Sequence, residues 1–385
     1  MTSKRLERLL AIAAIALIVI VWFIGLSKSE ADLEPFLQRA FPQAGFIEQM
    51  QGGVYEAWDN LEKDNLLGYV SPGSADGYGG ELRVAVAVST EGTILNLIVI
   101  DHKETFSFFR RVLRSRLIDG LQGKSYADPF IPGQDVDAIT GATYSARALA
   151  EAVKNATRQV ATKALNLPAI EDPSLKIQFG TPEIVLLALF LFGLVARQKR
   201  FKPKKAARWI SMLAGIGVLG FLVNKPFTLV LINKILLGYW PKWQLELYWY
   251  ILLGGIVFIT LIDNRNPYCD WFCPFGATQE CLGIIGGAKN WISIRIQLYL
   301  RWLQRLIALS AILMALILRN PSVSSYEVFG AFFRLIGTNI LFILLAVVLV
   351  VSLFVRRPWC SYLCPLRPVT DFLKLLRNWR IVKSL

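Results

Sequence analysis

The run Leu9-Leu-Ala-Ile-Ala-Ala-Ile-Ala-Leu-Ile-Val-Ile-Val-Trp-Phe-Ile-Gly-Leu26 contains no charged side chain. Coiled as a helix, a stretch of this length covers the ~30 Å hydrocarbon core of a bilayer. Five further apolar runs follow at Pro182–Ala196, Ile210–Val223, Leu247–Ile262, Leu303–Leu318 and Ile340–Val355, with Glu183 and Arg305 as their charged residues. Together they account for a composition that is 54% hydrophobic in 385 residues. They set the expected fold class: an α-helical integral membrane protein of about six transmembrane helices. Pro226–Tyr239 is also apolar but carries Asn233 and Lys234, which suits an interfacial or re-entrant segment. The first run has a long apolar stretch and no Ala-x-Ala site after it, so it reads as an uncleaved anchor rather than a signal peptide.

The formal net charge is +14, distributed unevenly. Lys28 to Lys176 holds 15 basic and 20 acidic residues, a local balance of −5. The basic excess flanks the apolar runs: Lys4, Arg5 and Arg8; Arg197 to Arg208; Arg265 to Arg305; and Arg356 to Lys383. By the positive-inside rule these four groups are cytoplasmic. Six spans then alternate without conflict, leaving both termini inside and the acidic segment outside. The membrane explains the charge, so nucleic acid is not an expected partner.

Three parts are expected: an anchor (1–28), an extracytoplasmic α+β domain (29–178) and a five-helix membrane domain (179–385). In the second part, Leu33–Ala40 and Val54–Leu61 show helical patterns, and Ser71–Gly80 has the glycine and serine content of a loop. Glu81–Val88 and Ile94–Ile100 alternate around Thr90-Glu91-Gly92, the pattern of a β-hairpin. Phe106–Leu117 reads as helical, and Ala146–Leu165 as a long amphipathic helix.

Immediately before that helix stands Asp137-Ala-Ile-Thr-Gly-Ala-Thr-Tyr-Ser145. Thr140-Gly141-Ala142-Thr143 alone is compatible with an ordinary helix N-cap. It also supplies hydroxyls, small residues and unpaired helix-start N–H groups, the features that seat a phosphate. His102, the chain's one histidine, reads as a surface or strand-end residue, with a cofactor contact as the alternative. A haem needing two histidines cannot be built from it.

Four of five cysteines form a repeat: Cys269-Asp-Trp-Phe-Cys273-Pro and Cys360-Ser-Tyr-Leu-Cys364-Pro. Both copies fall on the cytoplasmic side, where disulfides are disfavoured. Cysteines four apart on a helical turn face the same way, so each pair can offer two thiolates to one centre. Soft thiolates suit iron–sulfur clusters, zinc or Cu(I). A joint iron–sulfur centre on Cys269, Cys273, Cys360 and Cys364 is the favoured reading, with structural zinc or simple packing cysteines as alternatives. Cys281 reads as a buried free thiol.

The segment containing Gly77-Tyr78-Gly79-Gly80, His102-Lys-Glu104-Thr105 and Asp137 to Ser145 resembles the FMN-binding domain of NqrC, RnfG and the NosR type of membrane protein. Cys269 to Leu282 is similar to the membrane iron–sulfur segment of NosR, NapH and CcoG proteins. The order of the parts resembles NosR and, in its short length, PceC. The resemblance implies FMN joined covalently by a phosphoester to Thr143. Asp137, Thr140, Gly141, Ala142, Ser145, Tyr78, Gly79, Gly80 and Glu104 would be the surrounding site, and a flavin transferase outside the cytoplasm would make the bond. Two differences stand out. Phe106-Ser-Phe-Phe-Arg-Arg111 follows Glu104-Thr105 where several relatives have a Pro-Gly turn. The NosR type continues into a ferredoxin domain that is not expected after Cys364.

The implied function is membrane electron transfer in the cell inner membrane, as an oxidoreductase component. Electrons would pass between quinol or a cytoplasmic-side iron–sulfur centre and the outside FMN, toward an extracytoplasmic reductase. The expected partners are the quinone pool, that redox partner, the transferase and membrane lipid. The alternative is a redox-sensing regulatory or maturation protein. A transporter is disfavoured because the spans lack a path of acidic residues.

Overall fold

The computed structural model describes residues 3–27, 32–50, 52–137, 139, 142–172, 175–196, 198, 203–289 and 292–383. All six apolar runs are helical within these residues. They form helices Ser3–Leu26, Thr181–Ala196, Leu247–Asp263, Ile294–Ile317 and Asn339–Phe354, and Lys204–Ala214 continuing as a π-helix Gly215–Val223. Three, Arg5–Leu26, Lys204–Val223 and Ile294–Ile317, are long and apolar enough to cross a membrane. The other three are equally apolar but have 16 or 17 residues. Helices such as Asn339–Phe354 leave large apolar side chains on the outside, among them Ile340, Ile343 and Val347. A surface of that kind is stable against lipid and costly in water. Of the basic flanks, Lys199, Arg200 and Lys202 lie outside the described residues, as does Lys28.

The segment Pro226–Tyr239 contains a two-turn helix, Leu229–Leu236, whose N-cap Thr228 accepts a hydrogen bond from Leu231 N–H. Lys234, the residue that interrupts the apolar pattern, is buried. Its ammonium donates to the carbonyl of Gly77 in the sheet domain. The polar interruption is therefore a docking contact.

The sheet domain has five antiparallel strands in sequence order: β1 (Phe46–Gln49), β2 (Tyr55–Trp58), β3 (Leu66–Asp76), β4 (Glu81–Val88) and β5 (Ile94–His102). Both faces are covered. Leu82, Val84, Val86 and Val88 of β4 pack with helix Thr143–Lys163, and Ala85 and Ala87 pack with Leu37, Ala40 and Phe41 around helix Glu34–Ala40. Alternation thus puts large residues under one helix and small ones under the other. The hairpin, the Leu33–Ala40 helix and the long helix stand where the sequence indicates. Phe106–Leu117 divides into helices Phe106–Leu113 and Leu117–Leu121.

Two expectations are corrected. Val54–Leu61 is not helical: Tyr55–Trp58 is β2, paired with β3 through Tyr55↔Val70 and Ala57↔Gly68. A pattern this short fits either period, and the neighbouring strand decides it. Ser71–Gly80 is a loop only from Gly77, because β3 runs to Asp76. Its small residues serve helix packing. A Cβ on Gly73 would lie 2.2 Å from the carbonyl oxygen of Ala152 in the long helix.

Candidate functional site

The turn Gly77–Gly80 between β3 and β4 folds around one carboxylate. Gly79 N–H donates to Glu104 Oε1 at 3.0 Å, and the Ser145 hydroxyl donates to the other oxygen. A Cβ on Gly77 would lie 2.0 Å from Glu104 Oε1, and one on Gly79 1.8 Å from the Lys103 carbonyl oxygen, so neither position admits a side chain. Burial pushes the Glu104 pKa up, opposed by the two hydrogen bonds and the charge of Lys234. Glu104 therefore ties the turn after β3 to the first turn of helix Thr143–Lys163.

Thr143 is the first residue of that helix and is exposed, its hydroxyl 3.4 Å from the Ile139 carbonyl. It lines a cavity of about 880 Å³, counting its open mouth. Tyr78, Glu104, Phe108, Ala142, Tyr144 and Ser145 contribute from the sheet domain. Lys225, Thr228, Trp249, Glu327, Phe329 and Arg334 contribute from the membrane domain. Tyr78 hydrogen-bonds Thr228 across the boundary at 3.2 Å, and burial pushes its phenol up to about 12, so it stays protonated. Tyr144 donates to Glu246 at 2.7 Å, and Lys225 pairs with the same carboxylate at 3.2 Å.

Of the residues expected at a flavin site, Tyr78, Glu104, Ala142, Thr143 and Ser145 meet at this cavity. Gly79 and Gly80 shape the turn behind it, and Asp137 is exposed in the preceding loop. Thr140 and Gly141 lie outside the described residues. His102 ends β5 and stacks on Phe109 at 3.9 Å, away from the cavity lining, which is the strand-end reading. The membrane-side residues could not be found from the motif. They come from helices and loops 80 or more positions away, and only the Asn233-Lys234 interruption hinted at that boundary. The donor set fits a flavin nucleotide: an exposed hydroxyl, small neighbours, aromatic walls and polar groups among the lining.

The two cysteine motifs also converge. Cys269 lies in a short π-helical turn, Tyr268–Phe272, and Cys273 precedes helix Pro274–Ile285. Cys360 lies in helix Pro358–Tyr362, and Cys364 precedes Leu366–Lys383. Gly276 sits between the pairs, where a Cβ would be 3.5 Å from Cys360 Sγ and 3.7 Å from Cys273 Sγ. Burial raises all four thiols, and Cys269 is raised further by Cys273, Cys364 and Cys360. Four adjacent thiols, Cys364 buried and the other three half-buried, cannot ionise together without a compensating cation, which a metal centre provides. Among the described residues no three ligand-type side chains close on a single ion's position. Buried amides surround the sulfurs: Asn266 Nδ2 donates to Cys269 Sγ at 3.2 Å and Gln279 Nε2 to Cys360 Sγ at 3.3 Å. Such donors favour negative charge on the sulfurs.

A charge cluster stands beside them. Glu280 takes both guanidinium nitrogens of Arg208 at 2.6 Å and pairs with Arg357. Arg357 also donates to the Cys269 carbonyl and lowers the Cys273 and Cys360 thiols through its charge. Arg357 is therefore part of the cysteine environment as well as a basic flank. Glu280, Asn266 and Gln279 escaped the sequence reading because each is unremarkable outside its packing.

The cavity and the cysteines are close neighbours. Phe329, in the cavity wall, packs on Phe275 with ring centres 5.6 Å apart, and Phe275 packs on Trp359 at 6.1 Å. Phe275 follows Cys273-Pro274, and Trp359 precedes Cys360. One layer of aromatic rings separates the two regions, so the cysteines stand nearer to the cavity than opposite faces of a ~30 Å hydrocarbon core would put them.

Comparison with known proteins falls on the same residues. Positions 77–158 match the family described as an FMN-binding domain. Positions 245–292 and 336–383 each match the family described as a 4Fe-4S binding domain. The chain is 30% identical over 117 residues to one subunit of a proton-translocating ferredoxin:NAD(+) oxidoreductase complex of Clostridium ljungdahlii, covering 27% of this chain and 60% of that one. It is 29% identical over 199 residues to protein NirI of Paracoccus denitrificans, covering 48% and 29%. It is 36% identical over 92 residues to one subunit of an ion-translocating oxidoreductase complex of Pseudomonas aeruginosa, covering 22% and 43%. The chain thus spans less than two thirds of each relative. The chain carries an FMN-binding domain and a 4Fe-4S binding domain, and the resemblance drawn from the motifs holds.

Proposed function

We propose that the protein is a membrane electron-transfer flavoprotein with FMN joined covalently to Thr143 and one iron–sulfur centre on Cys269, Cys273, Cys360 and Cys364. When bound, the two groups would supply the electron-accepting and electron-donating chemistry, and the chain's residues fix their surroundings. The observation that carries the reading is the aromatic contact Phe329–Phe275–Trp359, which joins the cavity beside Thr143 to the cysteine motifs.

Within this reading Glu104, Ser145 and the Gly77–Gly80 turn hold the helix start that presents Thr143. Arg208 and Arg357, braced on Glu280, keep positive charge beside the sulfurs and offset the cluster's negative charge. Six spans with both termini inside, the FMN domain outside and boundaries at 28 and 178 remain our topology, supported by the charge map. The donor is quinol in the bilayer, the acceptor an extracytoplasmic reductase, and a transferase outside the cytoplasm attaches the flavin. The oxidoreductase complexes to which the Clostridium and Pseudomonas relatives belong by name support a redox partner of this kind.

Purified protein should contain iron and acid-labile sulfide and should fluoresce as a flavin band on a denaturing gel. Thr143→Ala should abolish the band and leave the iron. Zinc without sulfide would exclude the cluster, and a fluorescent band in the variant would exclude the attachment site.

A further inference from the structure

We infer that the isoalloxazine ring of the flavin lies in the cavity between the two domains, so that the membrane domain completes a site which the FMN-binding domain only begins. The inference rests on the reading that Thr143 carries the flavin. Three observations support it.

Thr143 is at the cavity edge, so a ring tethered there needs no rearrangement to enter. The cavity's walls match the ring's two kinds of surface. Phe108, Trp249 and Phe329 offer flat apolar contact, and Tyr78, Thr228 and Arg334 offer hydrogen bonding and positive charge. Most of these residues, Thr228, Trp249, Phe329 and Arg334, belong to the membrane domain.

A second cavity, of about 650 Å³, lies on the other side of Tyr78 and Tyr144. Thr143 does not line it, and Arg147, Glu151, Lys234 and Lys242 make its walls charged, a poor match for an apolar ring face. Contacts outside the first cavity's lining hold the two domains together. Lys103 Nζ donates to the Tyr239 hydroxyl at 2.5 Å, Ser322 donates to the Lys103 carbonyl at 2.5 Å, and Lys234 reaches Gly77. Arg334 lines the cavity, so its charge would act on the electronics of a ring held there, which gives it a tuning role.

The test uses the full-length, flavin-loaded protein in detergent and reads accessibility and spectrum. Iodide should quench the flavin fluorescence about fivefold less than that of free FMN, because a pocket of this kind covers some 70–90% of a ligand's surface. Leu341→Trp, which fills the cavity from the membrane side, should raise quenching to the level of free FMN while the in-gel flavin per chain stays constant. Arg334→Gln should shift the visible absorption maximum, again with in-gel flavin unchanged, and it stands as a test even where Leu341→Trp impairs folding. Quenching of the unaltered protein equal to that of free FMN, or an unchanged spectrum in Arg334→Gln, would overturn the inference. Absence of in-gel flavin from the unaltered protein would instead overturn the attachment at Thr143.

Discussion

Glu327 shows how a single residue acquires a property that its sequence neighbours do not announce. It is buried at the cavity and accepts a hydrogen bond from Leu229 N–H at 2.5 Å. Burial pushes its carboxyl up to about 7, with the backbone hydrogen bonds opposing. The folded protein therefore keeps a proton that the unfolded chain releases near pH 4. The stability linked to Glu327 is complete below that pH and is lost as pH rises through about 7. A rise of this size corresponds to roughly 3 kcal/mol. The thermal midpoint of the purified protein should fall between about pH 4.5 and 7, and Glu327→Gln should flatten the fall. Parallel profiles would assign the pH dependence elsewhere. By contrast Glu104, Tyr78 and Ser145 were visible in the sequence, because their motif places them in it directly.

Among the elements, the cysteine motifs repeat with a constant offset. Pro267, Cys269, Cys273 and Pro274 correspond to Pro358, Cys360, Cys364 and Pro365, and each set follows an apolar helix and leads into another helix. Pro274 is the first residue of its helix and Pro365 stands immediately before Leu366–Lys383, so the second cysteine of each pair is held at a helix start. The π-helix Gly215–Val223 packs against this unit. A Cβ on Gly215 would lie 2.3 Å from the Phe272 carbonyl oxygen, so the helix approaches where a glycine allows it. A centre shared by both pairs predicts that Cys273→Ser and Cys360→Ser each remove nearly all iron and sulfide, measured per chain by colorimetric assay. Retention of half the iron in either variant would mean two separate centres. The repeat was legible, and so was the hairpin. The helical reading of Val54–Leu61 failed because four residues of strand are decided by the strand beside them.

For the whole molecule, the decisive contact is Lys234 in the boundary between the sheet and the membrane domain. Its charge is buried and faces Glu104, Asp76 and Glu246 as well as the Gly77 carbonyl. Removing one member of a buried charged set leaves the others unpaired at a cost of about 3–5 kcal/mol. Lys234→Met should therefore loosen the docking of the two domains, seen as faster proteolysis between residues 164 and 181 and faster amide exchange in the Gly77–Gly80 turn. Unchanged protection would mean that the remaining contacts suffice. The sequence by itself determined the apolar helices, the hairpin domain between the first two, the flavin motif and the paired cysteines. Each of these rests on a local pattern of hydropathy, small residues or thiol spacing, which chemistry reads without knowledge of distance. Only the tertiary structure decided that the motif's cavity is walled by the membrane domain, that Glu280 gathers the arginines beside the cysteines, and that one aromatic layer separates the two regions. Those facts depend on residues brought together from distant loops, and no local pattern encodes which buried surfaces meet.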